Sequence, residues 1–451
     1  MKLPADIKYI WNRFAQAGAE VYVVGGAVRD SLMGRVPHDY DLTTAALPNE
    51  IVEMFADHTT FRAGAAYGTV GVAMDSGVVE ITTFRVDGTY GDSRRPDSVR
   101  FTRSLEEDLA RRDFTVNAMA YSPERGIVDP FGGRDAIRRR AIETVGDAEL
   151  RFREDALRIL RALRFRGQLG FDLTESVRTA IRRERDRLSA LSGERIADEM
   201  GKILAIERPS TVFYEMEALG VLAVLFPELV PTVGYDQRSP YHDKTLFDHI
   251  LCVVDHTPPK LPVRYAALFH DVKKPDTLSI DEDGKGHFFG HDTLGAETAA
   301  EILRRYKASK RLVHEVSALI REHMKVHDVM TDRALRRQIR RVGEEYILDL
   351  YDLMAADMAC TYGARDISFI IERKARIRAL MEEGVPKRCD LAVDGNDLIE
   401  IGIAPGPLMG KILGEMEARF IDNPEENDKA HWLAYAERRY DELRGDDRRN
   451  R

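Results

Sequence analysis

Strand-like runs stop at about residue 145, and beyond that point apolar residues recur only at the i, i+3, i+4 spacing of helices. One chain therefore has to build two kinds of structure in succession. Before the change, Ile7 to Ala17 has helical spacing, EVYVV (20–24) is a short strand halted by Gly25-Gly26, and HDYDLTT (38–44) is a second extended run. Pro48 opens a helix in PNEIVEMFAD, and TVGVAM (69–74) and VVEITTF (78–84) read as strands joined by a turn at Asp75-Ser76-Gly77. After the change come Asp155–Leu169, Ile196–Leu204, Leu246–Val254, Ala296–Tyr306 and Leu312–His323, all helical in pattern. No unit of 20–50 residues recurs, which disfavours a solenoid. The charged end, DELRGDDRRNR, reads as a frayed terminus.

Composition narrows the class. A chain of 451 residues suggests about three domains, and 44% hydrophobic residues exclude general disorder. No apolar run approaches the roughly 18 residues a membrane helix needs, and the first residues, MKLPADIKYIWNRF, lack the features of a signal peptide. Cys252, Cys360 and Cys389 are odd in number and far apart, so neither a disulfide framework nor a zinc ribbon is expected. A cytoplasmic enzyme is the expected class. The net charge of −9 argues against a nucleic-acid partner, yet charge acts locally, and from Arg151 to Arg195 arginines outnumber acids twelve to seven.

The head carries a carboxylate pair. A strand ending in two glycines lets backbone approach a phosphate, and the following helix N-terminus favours anions. Arg29 on that helix could reach the same phosphate. In an extended run, residues i and i+2 face one way, so Asp39 and Asp41 project together. Two adjacent carboxylates repel unless cations lie between them, and hard oxygen ligands suit Mg²⁺. Two-metal nucleotidyl transfer uses such a pair, and Glu80 could complete the set from a neighbouring strand. Standing alone, Asp-x-Asp would be an ordinary surface turn; the glycine pair and Arg29 upstream shift the balance.

GGAVRDSLMGRVPHDYDL (25–42) resembles the first motif of the class II tRNA nucleotidyltransferases, a family that embraces the CCA-adding enzymes and the bacterial poly(A) polymerases. RRDFTVNAMAYS (111–122), DPFGGRDAIRRR (129–140) and RFREDALRILRALRFRGQLGF (151–171) follow in the family's order. The resemblance implies that Asp39 and Asp41 hold metal and that Gly26 and Arg29 contact the nucleotide. Arg112 would meet the triphosphate, and Asp113 with Asn117, four apart, would address a ribose hydroxyl. YGDSRRPDSVRF (90–101) matches the family's flexible loop, which helps CCA-adding members change from C to A.

Asp155 and Arg158 are three apart and would share a helix face, with Arg161 and Arg164 continuing toward the phosphates. Cytosine and adenine both offer an amine donor beside a ring-nitrogen acceptor. A carboxylate only accepts and a guanidinium only donates, so the pair complements C and A alike, while G and U would leave polar groups unpaired. The resemblance gives this templating role to the same Asp and Arg. The plainer alternative is a solvated helix with a Glu154–Arg158 pair at i, i+4, worth a few tenths of a kcal/mol.

The second half holds a separate set: His249, the adjacent His270-Asp271, His291, His323 and Asp357. Such a set suits a metal in a helical bundle. TLFDHILCVVD, ALFHDVKKP, HFFGHDTLGAE and LMAADMA resemble the HD phosphohydrolase domain, with Lys273 where that family often has glycine. A transition metal and phosphohydrolase activity are the implied additions; an idle fold is the alternative. His287 is a weaker candidate. The stretch DLAVDGNDLIEIGIAPGPLMGKILGEM (390–416) resembles the tRNA-contacting tail of the same enzymes.

The expected fold is α+β: a nucleotidyltransferase head with a small mixed β-sheet and helices (1–140), then an all-α neck with the base-selecting helix (141–205), an HD-type body (206–375) and a tRNA-binding tail (376–451). The expected reaction is template-independent addition of CCA to the tRNA 3′ end from CTP and ATP, with Mg²⁺. A poly(A) polymerase, or an enzyme adding only CC or only A, stays open, although Asn117-Ala118-Met119-Ala120 fits the CCA enzymes better. A metal phosphohydrolase whose head merely binds RNA is the rival of another class. No membrane partner is expected, and the sequence does not set the oligomeric state.

Overall fold

A computed structural model of the chain describes residues 1–88, 99–238, 244–325, 330–361, 366–384 and 390–449. The chain folds into two compact units, Met1–Pro231 with Arg305–Ala308, and Thr232–Arg304 with Ser309–Arg451. The expected head and neck both lie in the first unit, which runs on to Pro231. Residues 90–98 of the expected flexible loop, and Cys389, lie outside the described residues.

The first unit is built on a seven-stranded mixed sheet: β1 (Val21–Val24), β2 (Asp41–Thr44), β3 (Thr60–Phe61), β4 (Thr69–Met74), β5 (Gly77–Thr83), β6 (Ala120–Ser122) and β7 (Gly126–Val128), in the order β3-β4-β5-β2-β1-β6-β7. All four residues of β1 are buried because both faces are covered. Val21 and Val23 join Ile7, Ile10 and Phe14 of the first helix, while Tyr22 and Val24 pack with Phe84, Leu105 and Leu109. Register then fixes the chemistry. β1 and β2 are antiparallel with Val24 opposite Asp41, so Asp41 is level with the end of β1 where Gly25-Gly26 begins. β2 and β5 are parallel, Leu42 beside Ile81, which brings Glu80 level with Asp41.

The helix expected over Asp155–Leu169 begins only at Leu157, after a separate helix Ala148–Glu154, so Asp155 stands in the break between the two. Asp155 between them is extended (φ −147°, ψ 106°), and its Oδ1 accepts from the Leu157 N–H at 3.0 Å. A short acceptor on the side chain satisfies an otherwise orphaned helix donor, which favours this break over continuation.

The second unit is helical apart from a small hairpin of Ser279–Ile280 and Gly286–His287. Helices Leu246–His256, Leu261–Phe269, His291–Arg305, Lys310–Glu322 and Ile347–Ala359 carry the histidine–aspartate set or lead directly into it. A further core, including Leu398, Ile412, Met416, Phe420 and Trp432, joins the last helices. The terminal helix, Lys429–Arg449, continues through the stretch expected to fray. Against the expectation of no disulfide, Cys252 and Cys360 are bonded, with Cα atoms 6.0 Å apart across 108 residues of sequence. Helix packing, invisible in the cysteine spacing, brings them together. Among the described residues, no helix is long and apolar enough to cross a membrane.

Candidate active site and candidate metal centre

Gly25 caps the Gly26–Leu32 helix with φ +70°, a conformation L side chains rarely adopt. A Cβ there would come 3.2 Å from Arg112 Nη1, so the glycine also makes room for that guanidinium. Asp41 stands at the start of β2 on the same level, and Asp39 lies in the loop just before it; both are solvent-accessible. Crowding by surrounding protein raises the Asp41 carboxyl above its usual value; Arg112 pulls it down and Asp39 adds to the rise. The two carboxylates thus feel each other. Glu80 is exposed, and among the described residues it does not close with Asp39 and Asp41 into a trio within 4.8 Å.

Behind the pair lies a buried polar network. Arg112 reaches Asp108, with Nη2 3.6 Å from Oδ2, and its Nε has no hydrogen-bond partner among the described residues. Burial lowers the Arg112 pKa, opposed first by Asp108. Arg29 is buried, donating to Asp30 at 2.8 Å and to Asn117 Oδ1 at 2.7 Å. Asn117 donates in turn to Asp113 Oδ1 at 3.4 Å, so the expected Asp113–Asn117 neighbours do meet, through a short 3₁₀ turn instead of a helix. Asp113 Oδ2 takes two N–H groups of Arg161, at 2.7 and 2.6 Å. Arg29, Arg161 and Arg164 all lie over the Phe165 ring, at 5.4, 5.4 and 4.2 Å from its centre, while Arg164 also pairs with Glu199. Each of the three guanidiniums is matched by a carboxylate, Asp30, Asp113 and Glu199 in turn.

Asp155 and Arg158 do not face one partner in the resting structure. Arg158 donates to Glu154 Oε2 at 2.5 Å and to the Arg151 carbonyl at 3.1 Å. Asp155 Oδ2 accepts from Arg195 Nη2 at 2.7 Å. The Glu154–Arg158 pair is the one that plain i, i+4 spacing allows. A cavity of about 890 Å³ opens beside it, lined by residues that include Glu154, Arg151, Arg111 and Glu107. Sequence reasoning missed two residues here. Asp108 is fully buried and also receives Thr43 and Arg111; its i, i+3 and i, i+4 spacing to Arg111 and Arg112 was the available signal. Arg195 gave none, being forty residues from its partner.

In the second unit the expected set does assemble. His249 Nε2 lies 3.0 Å from Asp357 Oδ1 and 3.6 Å from Asp271 Oδ2; His270 Nε2 lies 3.1 Å from Asp271 Oδ2. On the other side of Asp271, Oδ1 is 3.3 Å from His291 Nε2 and 3.8 Å from His323 Nε2. Two groups result, His249-His270-Asp271 and Asp271-His291-His323, each with ligand atoms within 4.8 Å, sharing Asp271. The Nδ1 atoms of His270, His291 and His323 bond backbone carbonyls of Ala267, Phe288 and Ile320, at 2.8, 2.5 and 2.6 Å. A carbonyl only accepts, so Nδ1 carries a proton and Nε2 is the ring atom that points inward. These three Nε2 atoms make no hydrogen bond among the described residues. Ring nitrogens and carboxylate oxygens that face one another in a buried site need a proton or a metal ion between them, and the donor set fits a metal.

Burial alone would raise Asp271, but His270 and Lys274 hold it well below the usual carboxylate range. Asp357 is lowered against burial by His249 and His270. Lys274, the lysine of ALFHDVKKP that keeps the HD family's spacing, lies 2.7 Å from Asp271 and 3.0 Å from Gln237. His287 pairs with Asp281 at 2.7 Å on the exposed hairpin and takes no part in either group.

Family models match along the chain: the poly A polymerase head domain over residues 21–143, an RNA- and SrmB-binding site of polymerase A over 170–232, and tRNA nucleotidyltransferase domain 2 over 290–436. The CCA-adding enzyme of Geobacillus stearothermophilus is 34% identical over 94% of this chain and 95% of its own length. That of Geobacillus kaustophilus is 53% identical, over 44% of this chain and 48% of its own. The crystal structure of the Bacillus stearothermophilus CCA-adding enzyme in complex with CTP superposes with a TM-score of 0.74 at 31% identity, covering 99% of this chain and all of that one.

Proposed function

The chain belongs to the family of CCA-adding enzymes, and from that premise we propose that it completes the 3′ end of tRNA from CTP and ATP, with the chemistry at Asp39 and Asp41. The observation that carries the site assignment is the strand register: Asp41 is level with the Gly25-Gly26 turn and within the field of Arg112 and Asp39. Mg²⁺ held by Asp39 and Asp41 would activate the tRNA hydroxyl and neutralise the departing pyrophosphate. The chain's own groups do the rest. Gly25 and Gly26 let backbone approach the triphosphate, and Arg29 receives it together with Arg112, whose Nε has no hydrogen-bond partner among the described residues. Asp113 and Asn117 address the ribose. Arg161 and Arg164 hold positive charge beside the phosphates. Asp155 and Arg158 read the base edge, which requires each to leave its resting partner, Arg195 or Glu154. Glu80 is a neighbour of this centre and takes the weakest assignment, since it stays outside the pair.

The test offers tRNA transcripts ending before CCA, after C and after CC, with CTP, ATP or both. Addition of C, C and A in turn is expected. A homopolymer from ATP alone would move the chain to the poly(A) polymerases, and arrest after CC, or A addition only, would make it a partial enzyme.

A specific observation favours a second reading for the other unit. The inward Nε2 atoms of His270, His291 and His323, with His249, Asp271 and Asp357, would hold a transition metal as in an HD domain. Bound there, it would supply Lewis-acid activation of water toward a phosphate ester. Lys274 would keep Asp271 ionised and ready to coordinate. Elemental analysis of the reconstituted chain tests this, with no metal at all as the result that leaves only an idle fold.

A further inference from the structure

We propose that Cys252 and Cys360 form a reversible thiol–disulfide site whose state sets how firmly the neighbouring histidine–aspartate cluster retains a metal. The proposal rests on the metal reading of that cluster. Its basis is where the bond lies. Cys252 is three residues beyond His249 on helix Leu246–His256, and Cys360 is three residues beyond Asp357, at the end of helix Ile347–Ala359. His249 Nε2 and Asp357 Oδ1 are 3.0 Å apart. The two helices are therefore tied twice in step, once through candidate ligands and once through sulfur, at a spacing of about 4.5 Å along each helix. Opening the sulfur bond removes the tie between the two helices about one turn from these ligands. Ligand distances must hold to about 0.2 Å for tight coordination, so a small relaxation of one helix against the other is felt at the metal.

The site is also placed to react. Cys360 is buried, Cys252 is half-buried, and exposed His256 stands over both sulfurs, its Nδ1 3.7 Å from Cys252 Sγ and 3.5 Å from Cys360 Sγ. A small thiolate can approach from the Cys252 side, and the imidazole supplies a polar group beside the sulfur that departs. A helical unit of this size does not need a lone cross-link to hold its core, unlike small disulfide-dense domains. The exchange balances with a small dithiol as reductant. The dithiol closes to its own cyclic disulfide, passing two electrons and two protons to the protein pair, which becomes two thiols. A low-molecular-weight disulfide reverses the step.

The test uses the full chain, prepared without reductant, and a portion reduced with dithiothreitol and desalted without air. Alkylation and intact mass should show one reactive cysteine of three before reduction and three after. Both forms are then loaded with Co²⁺, metal content is measured, and release to EDTA is followed by the cobalt absorbance. Release should be about tenfold faster from the reduced form, the scale seen when groups supporting metal ligands are lost. Oxidised glutathione should restore slow release, and Cys252→Ser should release quickly whatever the redox state. The wild-type comparison needs no variant to fold. Equal release from oxidised and reduced protein, with cobalt bound to both, would overturn the proposal and leave the metal reading standing. Three reactive cysteines before reduction would overturn it as well. No cobalt in either form would remove the metal reading, and the proposal with it.

Discussion

Arg195 donates to Asp155 at 2.7 Å at the point where helix Ala148–Glu154 ends and the next has yet to begin. The carboxylate proposed to read a base is thus neutralised at rest by an arginine from a third helix, and Arg158 is neutralised by Glu154. Binding the correct nucleotide must exchange both partners, and a base that cannot repay the exchange leaves buried polar groups unmatched. Arg158→Ala is therefore expected to lower the preference for CTP over UTP by about a hundredfold, within the range that paired polar sites achieve. Single-turnover incorporation of all four nucleotides measures it. Retained activity with an unchanged ratio would place base selection elsewhere.

Removing either carboxylate of the proposed Mg²⁺ site should separate chemistry from folding. Asp41→Ala, or Asp39→Ala, is expected to cut nucleotide incorporation by at least about a thousandfold. The melting temperature should hold or rise, because Asp41 is crowded by protein and repelled by Asp39. Incorporation within about tenfold of the parent would sink the assignment. The raised carboxyl also predicts a pH effect. Protons compete with Mg²⁺ for the ionised form, so activity falls on the acid side, and more Mg²⁺ should shift that fall to lower pH. A fall that ignores Mg²⁺ would point to another group.

The second cluster makes a stoichiometric prediction. With Asp271 shared between two groups, the reconstituted chain is expected to hold two transition-metal ions. His323→Ala should leave about one, and His270→Ala with Asp271→Ala should leave none, because the shared ligand is gone. Nucleotide addition should persist in both, since its proposed metals lie in the other unit. Elemental analysis alongside a tRNA-extension assay decides this, and a parent with a single ion would refute the shared arrangement.

What the sequence made legible follows from how local each feature is. β1 ends at Gly25-Gly26 because alternation and turn residues are local signals, and the Asp39–Asp41 spacing travels with them. The adjacent His270-Asp271, the seed of the expected metal set, is a local signal of the same kind. The break at Asp155 was hidden, since Phe152, Ala156, Ile159, Leu160 and Leu163 keep one helical period across it. A side-chain acceptor for Leu157 and an arginine forty residues away decide it. The Cys252–Cys360 bond was equally hidden, for 108 residues separate its ends and only helix packing brings them together. That Asp271 lies between two histidine pairs depends on which helix faces which of its oxygens, a tertiary fact.

Asp113 and Arg161 give the last prediction, on stability. Burial by itself would raise the Asp113 carboxyl, but Arg161, with two N–H donors on Oδ2, and the Phe114 N–H hold it below the usual carboxylate range. A carboxylate depressed in the folded state stabilises that state fully above its unfolded value of about 3.9. The contribution is lost as pH falls through the lower folded value. Asp113→Asn should therefore cost about 2 kcal/mol near neutral pH, less than a fully buried pair because Arg161 is partly open to water. The gap between parent and variant should stay level from pH 7 to about pH 5 and narrow below about pH 4. Denaturant unfolding followed across that range measures it. A gap of constant width down to acid pH would mean that Asp113 titrates alike in folded and unfolded chains, and that the Arg161 contact adds nothing that ionisation can reveal.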